Sequence, residues 1–190
     1  MPGLYNEREY DMSGTIVGIV EKERVINGSK IKQGDLLLGF KSSGLHTNGY
    51  SLARKILFPK FSPNESAIDL SGSIGDELLK VHKSYLNLIN ALTSKDIVTG
   101  LSHITGGGIV GNTMRIVPKN MNLQIDWTAW EVPAIFELIK KTGDVSDKEM
   151  RHVFNLGIGL IAIVPKEKGD EARTIAESLG EETIFMGEVV

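Results

Sequence analysis

The sequence contains no cysteine. That excludes disulfides, thiolate nucleophiles and cysteine-built zinc sites, and it suits a reducing compartment. There is also no apolar run near the roughly 20 residues that a membrane-spanning helix requires. The opening stretch, MPGLYNEREYDMSG, lacks the basic-then-apolar order of a secretory leader. Neither sign of charge dominates: 21 Lys and Arg stand against 24 Asp and Glu. Such a balance gives no long-range attraction to nucleic acid or to an anionic membrane. A Walker A loop and an HExxH pair are absent, and no GxGxxG fingerprint follows the first strand, so no common short motif names a chemistry. No carboxylate cluster has metal-ligand spacing, and no metal site built wholly from this chain is expected. A cytoplasmic protein that binds neither nucleic acid nor membrane is the expectation.

What the sequence does contain is ordinary for a globular domain. Of its 190 residues 41% are hydrophobic and 24% charged, enough to bury a core as one domain over 1–190. GTIVGIVEKERVI, residues 14–26, reads as extended structure and leads into an Asn-Gly turn. Residues 34–42 read as a buried strand. A helix follows, with Asn48 as candidate N-cap and Tyr50, Ala53 and Leu57 on one face. The spacing of Leu78, His82, Tyr85, Ile89 and Leu92 predicts a single helix over 75–93, which makes His82 a core or boundary histidine rather than a ligand. Strands are predicted at 96–104, 122–126, 155–165 and 182–190. A short helix is predicted through Met114, and longer ones over 132–143 and 166–180. Interspersed strands and helices, with no glycine fingerprint after the first strand, predict an α/β or α+β fold with a mixed sheet packed by helices.

Two glycine-rich loops carry the chemistry, each where a strand hands over to a helix. The first is SSGLHTNGYSLAR, residues 42–54, and the second SHITGGGIVGN, residues 102–112. Backbone N–H groups at such a junction lack intrahelical acceptors, and glycines let the main chain approach an anion closely. Ser43, Thr47 and Thr105 add hydroxyls, and His46 and His103 each add a switchable donor. The same loops can equally be tight turns with simple caps. Two of them in one small domain point toward a phosphate-bearing ligand. His152, in EMRHVFN, is expected at a helix end or on the surface. Trp127 and Trp130 are expected to pack near a domain edge or to border a pocket.

The ordered strings GDLLLGFKSSGLHTNGYSLARKIL, HITGGGIVGNTMRIVP, WEVPAIF and EMRHVFNLGIGL resemble the phosphoribosylformylglycinamidine cyclo-ligase family, also called aminoimidazole ribonucleotide synthetase. The resemblance runs along nearly the whole chain. It implies the C-terminal domain alone, with residues 1–13 as a junction to an N-terminal ATP-binding domain. That domain supplies most of the ATP and magnesium site and much of a homodimer contact. The implied activity is ATP-dependent closure of an imidazole ring on a nucleotide precursor. By this resemblance Ser43, Gly44, His46, Thr47, Asn48 and Gly49 form one wall of the substrate and phosphate site. His103, Thr105, Gly106, Gly107 and Gly108 form the other, and His46 takes an electrostatic or proton-transfer role. Lys41, Gly111, Met114 and His152 depart from residues common in the family. The chain alone is expected not to catalyse. The other readings are a non-catalytic phosphometabolite or assembly module and another ATP-dependent enzyme of the superfamily.

Overall fold

A computed structural model describes residues 13–67 and 69–190. The junction segment expected over 1–13 lies, apart from Ser13, outside the described residues. Five strands build the sheet: β1 Leu36–Lys41, β2 Gly100–His103, β3 Leu123–Ile125, β4 Ile158–Val164 and β5 Ile184–Val189, in the order β2-β4-β1-β5-β3. Every residue of β4 is buried, as its near-continuous apolar run requires of a strand covered on both faces. Alternation divides the cores. Leu37, Ile161 and Ile163 face one layer, with Ile104, Ile109 and Trp130. Leu38, Phe40, Leu160 and Ala162 face the other, under helices α3 (Leu86–Ser94) and α7 (Gly169–Ser178).

The α+β class is the expected one, but the sheet is not mixed: its four pairings are all antiparallel. β1 and β2 run the same way, yet β4 inserts between them, antiparallel to both. The order of elements along the chain does not say which later strand will enter such a gap. A third core joins α1 (Tyr50–Leu57), α5 (Ala134–Gly143) and α6 (Asp147–Val153) beside the sheet. No helix among the described residues is long and apolar enough to cross a membrane.

Two local expectations are corrected. Gly49, in the left-handed region at φ 82°, precedes α1 in place of Asn48, and no side chain caps that helix. The helix predicted over 75–93 is broken. α2 (Ile74–Leu78) starts on a capping box between Ser73 and Asp76 and ends within a few residues; α3 begins only at Leu86. The carbonyls that would continue the helix are diverted. The Tyr50 hydroxyl reaches that of Leu78, and Ser43 Oγ donates to that of Val81 at 2.6 Å. Residues 79–85 therefore cross the first glycine loop as a strap, which takes His82 off the apolar stripe.

Candidate functional site

The two loops leave β1 and β2 at the same end of the sheet, because both strands run antiparallel to the intervening β4. Each loop is held from below by a buried asparagine. Asn155 Nδ2 donates to the carbonyls of Gly44 (2.9 Å) and Leu45 (3.3 Å), while its Oδ1 accepts from Gly157 N–H (2.8 Å) and Ser42 Oγ (3.2 Å). Asn112 does the same for the second loop. Its Nδ2 donates to the carbonyls of Gly108 (2.7 Å) and Thr105 (3.1 Å), and its Oδ1 accepts from Thr105 Oγ1 (2.9 Å). Neither asparagine was singled out from the sequence. The available signal was a polar amide at the end of a glycine string, closing GGGIVGN and opening NLGIG. Replacing Asn155 by alanine orphans the Leu45 carbonyl and the Gly157 N–H, while Gly44 keeps the Ser42 hydroxyl, so a stability loss of about 2–4 kcal/mol is expected in urea denaturation.

Gly107 and Gly108 lie in the left-handed region, at φ 104° and 65°. A side chain on Gly108 would put its Cβ 1.8 Å from the Arg151 carbonyl, so only glycine lets the loop dock on α6. The loops also approach each other: a Cβ on Gly106 would lie 3.5 Å from Asn48 Oδ1. Among the described residues, the N–H groups of Thr47, Asn48, Gly49, Gly106 and Gly107 meet no protein acceptor. Thr47 is exposed, and its hydroxyl accepts loosely from Asn48 Nδ2 (3.4 Å). The hydroxyls of Ser43 and Thr105 already donate inward and face a ligand only as acceptors.

Three histidines join the loops. His46, in the left-handed region at φ 60°, is buried, and its ring stacks on that of His82 at 3.8 Å and 19°. His82 Nε2 lies 3.1 Å from His103 Nε2, so one proton is shared between the two rings. His46 Nε2 accepts from Ser43 N–H at 3.1 Å, which places the proton of the neutral ring on Nδ1, where no acceptor meets it. Burial, followed by the positive fields of His82, His103 and Lys83, pushes His46 down to about 4, and burial lowers His103 as well. His46 is thus a neutral ring at pH 7, lying beneath His82 and clamping its own loop. His103 is the exposed member.

This burial makes stability depend on pH. Above the ordinary value of 6.5 His46 is neutral in both the folded and unfolded chain. Between there and about 4 the unfolded chain takes up a proton that the folded one refuses, so stability falls with falling pH. The full loss is roughly 3 kcal/mol. Urea denaturation in chelator-treated buffer at pH 7.5 and 4.5 measures it; an equal loss in His46→Gln would contradict this assignment.

Tyr85 closes the floor of the site. Its hydroxyl donates to the Lys41 carbonyl (2.8 Å), and burial together with the Glu181 carboxylate raises its pKa. A cavity of about 750 Å³ opens beside Gly107, lined by Val110, Trp127, Arg151 and His152 among others. The Arg151 guanidinium sits 4.2 Å above the Trp127 ring. His152 thus borders this cavity and not the histidine cluster. Trp130 is buried and donates to the Leu156 carbonyl at 2.9 Å.

The fold aligns with those of several solved structures. Thiamine-monophosphate kinase from Stenotrophomonas maltophilia aligns with a TM-score of 0.60 at 13% identity, over 90% of this chain and 52% of that one. E. coli HypE, a hydrogenase maturation protein, gives 0.53 at 20% identity, over 86% and 46%. At these identities the likeness is one of fold. The family follows from sequence: residues 32–190 match the model described as AIR synthase related protein, C-terminal domain, and the chain belongs to that family. Over its whole length it is 41% identical to the phosphoribosylformylglycinamidine cyclo-ligase of Pseudothermotoga lettingae and 44% identical to that of Syntrophotalea carbinolica. It spans only 56% and 55% of those two proteins.

Proposed function

We propose that the chain is the C-terminal half of an ATP-dependent cyclo-ligase that converts formylglycinamidine ribonucleotide to aminoimidazole ribonucleotide in purine biosynthesis. The observation that carries this reading is the convergence of the two glycine loops, with five main-chain N–H groups free of protein acceptors among the described residues. In this reading the N–H groups of Thr47, Asn48, Gly49, Gly106 and Gly107 bind the anionic phosphate of the substrate or the phosphoryl group in transit. His103 reaches the ligand directly. His46 acts from beneath as a positioning residue, holding the first loop through Ser43.

The reaction transfers the γ-phosphoryl group of ATP to the formamide oxygen. The amidine nitrogen then attacks that carbon, the C–O bond breaks, and phosphate and ADP leave. Chemistry of this kind asks the protein for charge neutralisation and positioning more than for a nucleophile. Magnesium would hold the ATP phosphates. Among the described residues, the one group of three metal-competent side chains is all histidine, a poor match for that oxygen-seeking ion. We therefore assign ATP and magnesium mainly to an N-terminal half. Ile16, Val17 and Ile19 stand almost fully exposed on the segment leading into this domain, as expected of a surface covered by such a half. In this reading residues 1–13 form the junction, the assembled enzyme is a homodimer and its setting is the cytoplasm.

The test is to co-produce the chain with the N-terminal half of a cyclo-ligase relative and to assay ring closure. Turnover is expected from the pair and none from the chain alone. A folded pair that binds ATP but does not close the ring would contradict the reading.

A further inference from the structure

The stacked and paired histidines point to a use that anion binding does not require. We propose that His82 and His103 together bind a divalent transition ion of borderline softness, such as Zn²⁺ or Ni²⁺, through their Nε2 atoms, with His46 outside the coordination sphere. Their Nε2 atoms lie 3.1 Å apart. Two nitrogens bonded at about 2.0–2.1 Å to one ion are about 2.9 Å apart at a right angle and about 3.4 Å apart at a tetrahedral one. The observed separation falls between these limits. Without metal, the shared proton occupies the gap. With metal, each ring turns its single Nε2 lone pair toward the ion and carries its proton on Nδ1. Neutral rings make that change by tautomerisation, with no net release of protons.

The three histidines look at first like a three-nitrogen site, since one nitrogen of each lies within 4.8 Å of the others. The ring geometry excludes that. Imidazole lone pairs lie in the ring plane, and the planes of His46 and His82 are nearly parallel, with centroids 3.8 Å apart. They do not converge on a point about 2 Å from both nitrogens. His46 Nε2 is in addition occupied by the Ser43 N–H. The coordination sphere is therefore two imidazoles, completed by water or by an oxygen of a bound anion.

Both ligands stand on restrained backbone. His103 ends β2, and the strap bearing His82 is pinned by Ser43 Oγ at Val81 and by the Tyr85 hydroxyl at Lys41. Little freedom is lost when the ion arrives. The nearby Lys83 ammonium is held by Glu181 at 2.6 Å, which offsets its repulsion. Imidazole nitrogen suits zinc, nickel or copper over magnesium or calcium. The proposal does not depend on the phosphate reading.

The test titrates the metal-free 190-residue chain, without a histidine tag, with Zn²⁺ and with Ni²⁺ by calorimetry near pH 7.5. The chain has four histidines and no cysteine, so few sites compete. One equivalent is expected to bind. His82→Ala and His103→Ala should each weaken binding by roughly tenfold or more, whereas His152→Ala leaves it unchanged. Nitrogen-15 spectra of the imidazoles supply a readout on the unsubstituted chain. Zinc should move the Nε2 resonances of His82 and His103 and leave the protonation pattern of His46 as it was. No binding at roughly 100 µM ion, binding indifferent to His82→Ala, or a direct zinc shift at His46 would each overturn the proposal.

Discussion

Replacing His46 by alanine in the complemented two-half enzyme is expected to lower turnover by roughly 10²-fold while leaving the protein folded. The side chain is buried, yet its contribution is geometric. It accepts the Ser43 N–H, and its face supports His82 against His103. With the ring gone, the first loop and the histidine pair lose their common support, and a displacement of about 1 Å at a phosphoryl site is enough for an effect of that size. A purely structural role would lower the melting temperature and leave turnover per folded molecule intact. The discriminating measurement is therefore kcat normalised to folded protein. His46→Gln, which retains an acceptor for Ser43, should recover part of the loss. Unchanged turnover in His46→Ala would remove His46 from the account of the site.

The second large effect is expected at Gly108. Alanine there places a methyl group 1.8 Å from the Arg151 carbonyl, and the residue is held at φ 65°. Overpacking against backbone and left-handed strain add to about 3 kcal/mol or more. For a chain of this size that lowers the melting temperature by roughly 6–12 °C. Gly111, three residues on in the same short helix, α4 (Gly108–Thr113), is the internal control. A Cβ there meets nothing within 4 Å, so alanine should be neutral or stabilise by up to about 1 kcal/mol. Equal melting temperatures for the two variants would mean that the loop does not dock on α6 as described.

The sequence was most legible where local pattern and tertiary demand agree. The apolar run at 158–164 is the fully buried strand β4, and the periodic residues of 134–143 form α5. Both glycine loops were recognisable because left-handed backbone leaves a compositional trace, which Gly107 and Gly108 carry openly. Legibility failed where distant side chains decide. The helical stripe through His82 is real as a pattern, but Tyr50 and Ser43 claim the carbonyls that helix would use. The histidine cluster was hidden for the same reason: it depends on where a broken helix sends one ring. Asn112 and Asn155 escaped notice because a buried amide and a surface amide are spelled alike. The insertion of β4 between β1 and β2 has no local signature at all.

The most direct test of the central claim is a structure of the complemented enzyme with formylglycinamidine ribonucleotide and a non-hydrolysable ATP analogue. Phosphate or phosphoryl oxygens are expected about 3 Å from the N–H groups of Gly106 and Gly107 and of the turn at Thr47–Gly49. Bound substrate with every such oxygen remote from both glycine turns would contradict it.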